Sequence, residues 1–246
     1  MRVWQRNLTV YGKIFLSSLM PNIFEPLIYI LGMGLGLGMF VDKIGGIPYV
    51  NFLAPGLIAS SAMFAASYEC TFGSFVRMEF QKAYEAIIAT PANVDDVVAG
   101  EILWGTTKSV WYGSIILLVI TLMGLVKSGY ALLIPVILVV TGFLFANLAM
   151  IVTALVPKID NFNYFFSLLF TPMFMFSGIF FPLSGLPGYV QTVAWFTPLY
   201  HVVNLARGLA LGRLTMSMWG DLAWLVVVGA AIFVLPVNLM RRKLIQ

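Results

Sequence analysis

The chain has 246 residues, of which 61% are hydrophobic and 10% are charged, and its formal net charge is +4. An average soluble domain carries about 25% charged residues, and even a large one leaves roughly a quarter of its unfolded surface exposed. A water-soluble fold cannot hide this much apolar surface, so the composition excludes a soluble globular class and indicates an integral membrane protein.

Residues 2–20 form the first predicted element. Apolar residues recur there at helical spacing, and most of the basic residues lie away from that stripe. The pattern predicts an amphipathic helix in the cytoplasmic membrane interface, with a cytoplasmic extension of the first span as the alternative. The stripe consists of Trp4, Leu8, Tyr11, Phe15 and Leu19.

Six predicted membrane spans make the expected fold class all-α. A membrane helix needs about 20 mostly apolar residues, and continuous rather than alternating apolar runs exclude barrel strands. Five stretches reach this length, and a sixth is shorter and rich in phenylalanine. We expect no cleavable signal peptide, since Lys13 and Pro21 interrupt the first apolar run. The spans are 23–41, 52–76, 102–125, 131–156, 162–182 and 221–240.

The first span contains four glycines at alternate positions, which form two overlapping GxxxG pairs. Glycine at this spacing lets helix backbones approach closely. The pattern predicts a packing face within the chain, a face toward a second subunit, or a face along a transport path. A dinucleotide-binding loop is excluded, because no strand precedes the run and the GxGxxG order is absent. The glycines are Gly32, Gly34, Gly36 and Gly38.

Residues 78–97 concentrate charge between two apolar stretches. Apolar residues at helical spacing predict a short amphipathic helix over 78–89, which Thr90 and Pro91 end because a residue before proline disfavours the helical region. Asn93 is the predicted N-cap of the next helix. The segment is either a docking element for a cytoplasmic partner or an interfacial loop that covers its own apolar side. The apolar stripe is Phe80, Tyr84, Ile87 and Ile88, and the first turn of the next helix holds Asp95 and Asp96.

Residues 183–219 are too polar and too often broken by Pro and Gly to span cleanly, yet too apolar for a free aqueous loop. They predict two short helices divided at Thr197 and Pro198. Broken backbone at membrane depth is tolerated only where it is buried in protein or lines a cavity. We therefore expect an outer re-entrant helical hairpin.

The positions of the basic residues predict the orientation. Nine flank the predicted spans on one side and four on the other, so the positive-inside rule places both termini and residues 78–97 in the cytoplasm. The net charge reports topology and gives no reason to expect nucleic-acid binding. The nine are Arg2, Arg6, Lys13, Arg77, Lys82, Lys158, Arg241, Arg242 and Lys243, and the four are Lys43, Lys127, Arg207 and Arg213.

The sequence predicts no catalytic residues, no metal site and no cofactor bound by this chain. Gly100 and Gly105 have the spacing of a phosphate loop, but Thr106 stands where that loop needs lysine and no strand precedes it. His201 is the only histidine and Cys70 the only cysteine, so a histidine cluster, an intrachain disulfide and a Cys-rich metal site are excluded.

Several short motifs, in the same order and spacing, resemble the permease subunits of type-2 ABC transporters over most of the chain. Within that family the resemblance is nearest to the exporters of lipo-chitooligosaccharide nodulation factors and of related lipid-linked polysaccharides. The motifs that resemble the cytoplasmic coupling helix are Arg77, Tyr84-Glu85-Ala86-Ile87-Ile88, Thr90-Pro91 and Gly100-Glu101. Those that resemble the fifth helix and the outer hairpin are Thr171-Pro172-Met173, Phe176-Ser177-Gly178, Phe181-Pro182, Leu186-Pro187, Thr197-Pro198-Leu199 and Arg207-Gly208.

The resemblance implies one permease domain over residues 1–246 in the inner membrane of a bacterium, with six transmembrane helices, an amphipathic N-terminal helix and outer re-entrant helices. It implies two permease subunits, a second copy or a similar chain, and two copies of a separate ATPase that carries ATP and magnesium. The chain would not itself be an enzyme. It would export an amphipathic lipooligosaccharide, lipid-linked glycan or hydrophobic drug by alternating access.

Two sets of residues are the candidate binding residues. An amphipathic helix in a groove uses apolar anchors with polar groups that fix its register, and aromatic faces can hold sugar rings or acyl chains. Lipid-facing packing is the alternative use of the aromatic residues. The docking set is Tyr84, Glu85, Ile87, Ile88, Thr90 and Pro91, and the substrate-path set is Tyr29, Phe166, Phe170, Phe174 and Phe176.

Charged residues near the spans form a third set: Glu25, Glu69, Lys108 and Arg207. Each charge costs about 2.5–3.5 kcal/mol at the centre of a membrane helix. We expect structural or gating roles, with substrate binding as the alternative, and an ion pair of Lys108 with Glu69 or Glu25 is one arrangement that the sequence allows.

Two other function classes compete with an ATP-driven permease. A stand-alone secondary transporter or channel would favour inverted repeats and charges near the membrane midplane, and no clear repeat is present. An intramembrane enzyme acting on lipids would need clustered catalytic residues. With one histidine and one cysteine, the chain has few side chains from which to build such a cluster.

Overall fold

The computed structural model describes residues 2–13, 15–41, 43–91 and 93–244, and it is mostly helical. A two-residue strand pair, β1 (Lys43–Ile44) and β2 (Ile47–Pro48), is antiparallel. The side chain of Leu19, part of the predicted N-terminal stripe, lies outside the described residues. The helices are α1 (Arg2–Gly12), α2 (Phe15–Gly36), α3 (Tyr49–Tyr68), α4 (Ala83–Ile88), α5 (Val94–Leu122), α6 (Ile134–Leu155), α7 (Phe162–Phe165), α8 (Thr171–Phe176), α9 (Gly188–Trp195), α10 (Pro198–Leu211), α11 (Ser217–Ile232) and α12 (Val234–Leu244).

Within the described residues, four helical runs are long and apolar enough to cross a membrane. They match four of the predicted spans, and the count of six stays a prediction. A shorter apolar helix, Phe24–Met39, covers most of the first predicted span. The phenylalanine-rich helix ends at Phe176, where Gly178 takes a φ of +82° that favours glycine. The four runs are Tyr49–Phe80, Val94–Leu122, Gly129–Leu155 and Ser217–Leu244.

The N-terminal amphipathic helix is shorter than the predicted range of 2–20. Helix α1 ends at Gly12 and α2 begins at Phe15, so residues 15–20 are the first turns of a separate, longer helix. Helix α1 buries Val3, Asn7 and Tyr11. The apolar stripe therefore continues across a break that periodicity alone does not reveal.

The centre of the bundle is formed by α3, α5 and α6, whose facing sides are buried. Small residues let α5 and α6 approach each other closely. A Cβ added at Gly142 of α6 would lie 2.6 Å from the Ser109 Cβ of α5, a distance that real side chains do not show. Helix α1 lies along α5, and α12 packs on α5 and α6. By contrast, α2 leaves Phe24, Ile28 and Leu31 exposed.

The start of α1 and the end of α12 lie at the same end of the bundle as α4. The Lys243 Nζ donates to the carbonyls of Thr153 and Val156 at 3.0 and 2.9 Å, near the end of α6. Arg241 pairs with Asp95 in the first turn of α5. This common end is the arrangement that the distribution of basic residues predicts.

The polar segment differs from the predicted single helix over 78–89. The helix that begins with α3 continues through two π-helical segments, Glu69–Gly73 and Val76–Phe80, and then breaks. Lys82 adopts the left-handed conformation with φ 51°, and α4 begins at the next residue. Such a conformation is uncommon for lysine, so the sequence carries no signal for it. The turn redirects the chain so that Tyr84 is buried.

The outer segment contains the two predicted short helices, α9 and α10, and the second begins at Pro198 as expected. His201 joins them to α11. Its Nε2 lies 2.7 Å from the Trp195 carbonyl, its Nδ1 lies 2.6 Å from Asp221 Oδ1, and its ring stacks on Trp224. The re-entrant position of this hairpin stays a prediction.

Candidate functional site

Four charged residues form a compact cluster beside α4: Glu69, Arg77, Glu101 and Lys108, called here the charge cluster. Arg77 bridges the two carboxylates, with Nη1 at 2.7 Å from Glu69 Oε1 and Nε at 3.0 Å from Glu101 Oε1. Lys108 pairs with the other oxygen of Glu69. Two cations therefore balance two carboxylates, and the pairs tie the continuation of α3 to α5.

Neutral partners complete the hydrogen bonding of Glu101, whose side chain is fully buried. Ser74 Oγ donates to Oε2 at 3.0 Å, and Asn7 Nδ2 donates to Oε1 at 3.2 Å. The Lys108 ammonium also lies 4.5 Å from the ring centre of Tyr11. Buried charges are tolerated when they are both paired and hydrogen-bonded. The cluster meets this condition, and Asn7 and Tyr11 attach α1 to it.

Helix α4 has an inner and an outer face. Tyr84 on the inner face is fully buried, and burial together with the nearby Glu101 carboxylate raises the pKa of the Tyr84 phenol well above its usual value. Glu85 on the outer face is exposed and pairs with Lys82 at 3.0 Å. Tyr84 is therefore an anchor of the helix. Its side chain offers no surface in this structure, and its predicted contact with a partner stays a prediction.

The other predicted docking residues remain accessible. Ile87 and Ile88 are partly buried, whereas Thr90 and Pro91 are exposed. The Thr90 hydroxyl donates to the Ile87 carbonyl at 2.6 Å, which closes the helix end. The next helix begins as predicted, since the backbone N–H of Asn93 donates to the Asp96 carboxylate at 3.1 Å. The result is a short, well-ended helix with a free outer face.

An aromatic seam joins α3 and its continuation to the phenylalanine-rich segment. Tyr68 stacks on Phe166 with ring centres 4.5 Å apart, and Phe72 stacks on the same ring. Phe64 contacts Phe174, which in turn contacts Tyr29 of α2. The seam consists of Tyr29, Phe64, Tyr68, Phe72, Phe166 and Phe174.

The seam includes three of the five predicted path residues. Phe170 is fully buried against Phe145 and is part of the core, so it lines no open face. Phe176 is exposed and contacts Phe181 rather than the seam. Phe170 still contacts the seam from the core side, with its ring centre 5.2 Å from that of Phe166 and 6.2 Å from that of Phe64.

An apolar groove of about 740 Å³ lies beside the seam, between α2 and α8. Its walls include Tyr29, Met33, Tyr49 and Phe174. Gly34 packs on Val50. A Cβ at Gly32 or Gly36 of α2, or at Gly38 just beyond it, would meet no neighbour in the described part of the chain. That glycine face is open within this subunit.

Two predicted charges lie apart from the cluster. Glu25 is exposed and lines a cavity of about 40 Å³ with Tyr29 and Tyr68. Arg207 donates to the carbonyls of Phe52 and Gly178 at 3.1 and 2.8 Å, and its guanidinium covers the Phe52 ring. Arg207 therefore holds α10 against α3.

The cluster members that sequence reasoning did not single out as charges are Arg77 and Glu101. Both belong to the motifs that carry the family resemblance, and a buried carboxylate such as Glu101 needs a cation nearby. Their place in those motifs is the sequence signal that could have singled them out, whereas their contact with each other follows from the tertiary fold. No group of three or more His, Cys, Asp or Glu in the described residues could hold a metal ion.

Comparison with known proteins identifies a family and several relatives. Residues 1–211 match the family described as ABC-2 type transporter. The chain is 38% identical to Nodulation protein J of Rhizobium leguminosarum bv. trifolii over 99% of this chain and 93% of that protein. It is 37% identical to Nodulation protein J of Rhizobium meliloti (strain 1021), with 98% and 92% covered. It is 21% identical to the Inner membrane transport permease YadH of Escherichia coli (strain K12), with 98% and 93% covered.

Proposed function

The chain belongs to the ABC-2 type transporter family, and from this premise we propose that it is the membrane subunit of an exporter powered by a separate ATPase. Two permease subunits and two ATPase subunits would form the transporter, with ATP and magnesium on the ATPase. The bound nucleotide would alternate the permease between inward-open and outward-open states. No catalytic step belongs to this chain.

The proposed topology has six spans, with both termini and α4 in the cytoplasm of a bacterium. Four long apolar helices, the helix Phe24–Met39 and the phenylalanine-rich segment would supply the six. Nine of the basic residues that flank the predicted spans would lie at the end that carries α4, as the positive-inside rule favours for a cytoplasmic side. Helices α9 and α10 would form the re-entrant hairpin at the outer end.

The contact between α4 and the charge cluster is the observation that carries the coupling mechanism. The inner face of α4 holds Tyr84 against the region of Arg77 and Glu101, and the cluster joins α1, α5 and the continuation of α3. A partner that binds the outer face of α4 would therefore move several helices together. The contacts would be made by Glu85, Ile87, Ile88, Thr90 and Pro91.

An amphipathic substrate fits the remaining surfaces. The apolar groove and the exposed side of the aromatic seam offer dispersion and stacking contacts for an acyl chain or sugar rings. Two of the relatives are nodulation proteins by name, which supports a lipooligosaccharide or a related lipid-linked glycan. The open glycine face of α2 would meet a second copy of the chain, or a similar chain in a heterodimer.

The test is purification of the tagged chain from native membranes in a gentle detergent, followed by mass spectrometry of accompanying proteins. We expect a phosphate-loop ATPase with the native chain and its loss from the Glu85→Lys, Pro91→Ala variant. The control is Lys127→Glu, an exposed charge change at the opposite end of the bundle. Retention of the ATPase by the double variant would contradict docking at α4.

A stand-alone secondary transporter is the competing function, and reconstitution separates the two. Liposomes that contain only this chain are expected to show no concentrative transport of a labelled lipooligosaccharide. Robust flux without an ATPase would overturn the proposed function.

A further inference from the structure

A cavity of about 950 Å³ lies between the first turns of α1 and the helix α4. One part of its wall is apolar and includes Val3, Ala83 and Ile87. The other part is cationic, with Arg2 and Arg6 from α1. An apolar wall next to two guanidinium groups makes the cavity amphipathic.

In the part of the chain that the structure describes, the two arginines are not paired with carboxylates. Neither Arg2 nor Arg6 lies within ion-pairing distance of a carboxylate in the described ranges, and the Nη1 of Arg6 is buried without an acceptor there. The one carboxylate in the wall, Asp96, accepts from the backbone N–H of Asn93. A buried guanidinium nitrogen without an acceptor is unfavourable, and arginine is well suited to bidentate binding of a phosphate.

The position of α1 indicates the depth of the cavity. Val3 packs on Gly100 in the second turn of α5, and Trp4 Nε1 donates to Thr107 Oγ1 at 2.9 Å. Farther along, Tyr11 packs on Trp104 and Trp111 of the same apolar helix. The arginines thus lie where a membrane helix leaves the hydrocarbon, which is the level of phospholipid headgroups.

We propose that this cavity binds the phosphate headgroup of an anionic phospholipid from the inner leaflet, with Arg2 and Arg6 as the ligands and the apolar wall against the glycerol and upper acyl chains. The amphipathic lining favours a lipid over free phosphate, because a free phosphate ion has no apolar part that could pack on the apolar wall. Because α4 forms one side, a bound lipid would brace α4 against α1. The site itself needs no ATPase.

The test measures lipid retention by the full chain alone. Protein purified in detergent is mixed with equal amounts of phosphatidylglycerol and phosphatidylcholine, and bound lipid is counted by native mass spectrometry. We expect the native chain to retain phosphatidylglycerol in preference to phosphatidylcholine. In the Arg2→Gln, Arg6→Gln variant this retention should fall about fivefold or more, because each basic residue near an anionic lipid surface strengthens binding. Millimolar inorganic phosphate should not displace the lipid.

The matched control is Lys127→Gln, Arg213→Gln, which removes two exposed cations at the opposite end of the bundle. Its phosphatidylglycerol retention should equal that of the native chain. Arg6→Lys, which keeps the charge, should retain most of the lipid and guards against a folding defect in the double variant.

Three results would overturn the site. The first is equal retention in the double variant and its control. The second is displacement by inorganic phosphate, which would identify a free-anion site. The third is a double variant that keeps its lipid but loses the ATPase in the co-purification from native membranes. That result would assign the cavity to a protein contact. If no ATPase accompanies the native chain in that co-purification, only the proposed function is refuted, and the lipid site is unaffected.

Discussion

Arg77 is the residue whose loss should most disturb the charge cluster. It bridges Glu69 and Glu101, and its removal leaves two buried carboxylates with Lys108 alone. Breaking a buried ion pair by removing one partner costs about 3–5 kcal/mol. The Arg77 side chain is 15% exposed, so some water can reach the vacated space, and Ser74 and Asn7 still hydrogen-bond Glu101. We therefore expect Arg77→Gln to lower the free energy of unfolding by about 3 kcal/mol.

The assay is reversible unfolding in mixed detergent micelles, with the native chain and each variant measured side by side. Arg77→Gln combined with Glu101→Gln removes one charge of each sign, so the double variant should be about 1–2 kcal/mol less stable than the native chain. Arg213→Gln changes an exposed guanidinium whose hydrogen bonds to the Gly45 carbonyl are 3.3 and 3.4 Å long, and it should change stability by less than about 0.5 kcal/mol. An Arg77→Gln cost as small as that of Arg213→Gln would refute the reasoning, and so would additive effects in the double variant.

Three further perturbations test other contacts. Gly142→Ala should cost about 1–3 kcal/mol in the same unfolding assay because its Cβ meets α5, whereas Gly36→Ala, with open space, should be neutral or slightly stabilising; equal effects would contradict the packing. His201→Ala should speed amide hydrogen exchange across α9 about tenfold, because the Trp195 carbonyl loses its partner; unchanged exchange would show that α9 is held by other contacts. Tyr84→Ala should cost about 3–5 kcal/mol, whereas Tyr84→Phe should be neutral or slightly stabilising because the buried hydroxyl has no hydrogen-bond partner in the described residues; a tolerated alanine would place Tyr84 at the surface after all.

The long helices were predictable because membrane spanning imposes a length and a composition. Helices α5 and α6 begin and end within a few residues of helix signals or of apolar runs that are visible in the sequence, such as the Asn93 cap. The break at Lys82 was not predictable, because lysine has no intrinsic preference for its conformation there and only the burial of Tyr84 accounts for it.

The charge cluster was predictable only in part. Glu69 and Lys108 were identified as costly charges, and their pairing was one of two arrangements that the sequence allowed. Glu101 and Arg77 are separated by 24 positions on different helical segments, and no local spacing rule relates such residues. Their contact depends on how α5 packs against the continuation of α3, which is a property of the tertiary fold.

The π-helical segments Glu69–Gly73 and Val76–Phe80 determine in which direction the following residues point around the helix axis. Each π-helical turn accommodates one residue more than an α-helix would, and one residue corresponds to a rotation of about 100° about the helix axis. The direction in which Arg77 and then α4 point is therefore set by the number of residues between Tyr68 and Lys82. Any chimera or natural insertion that changes this number by one would turn α4 away from its neighbours while leaving every apolar residue of the span in place.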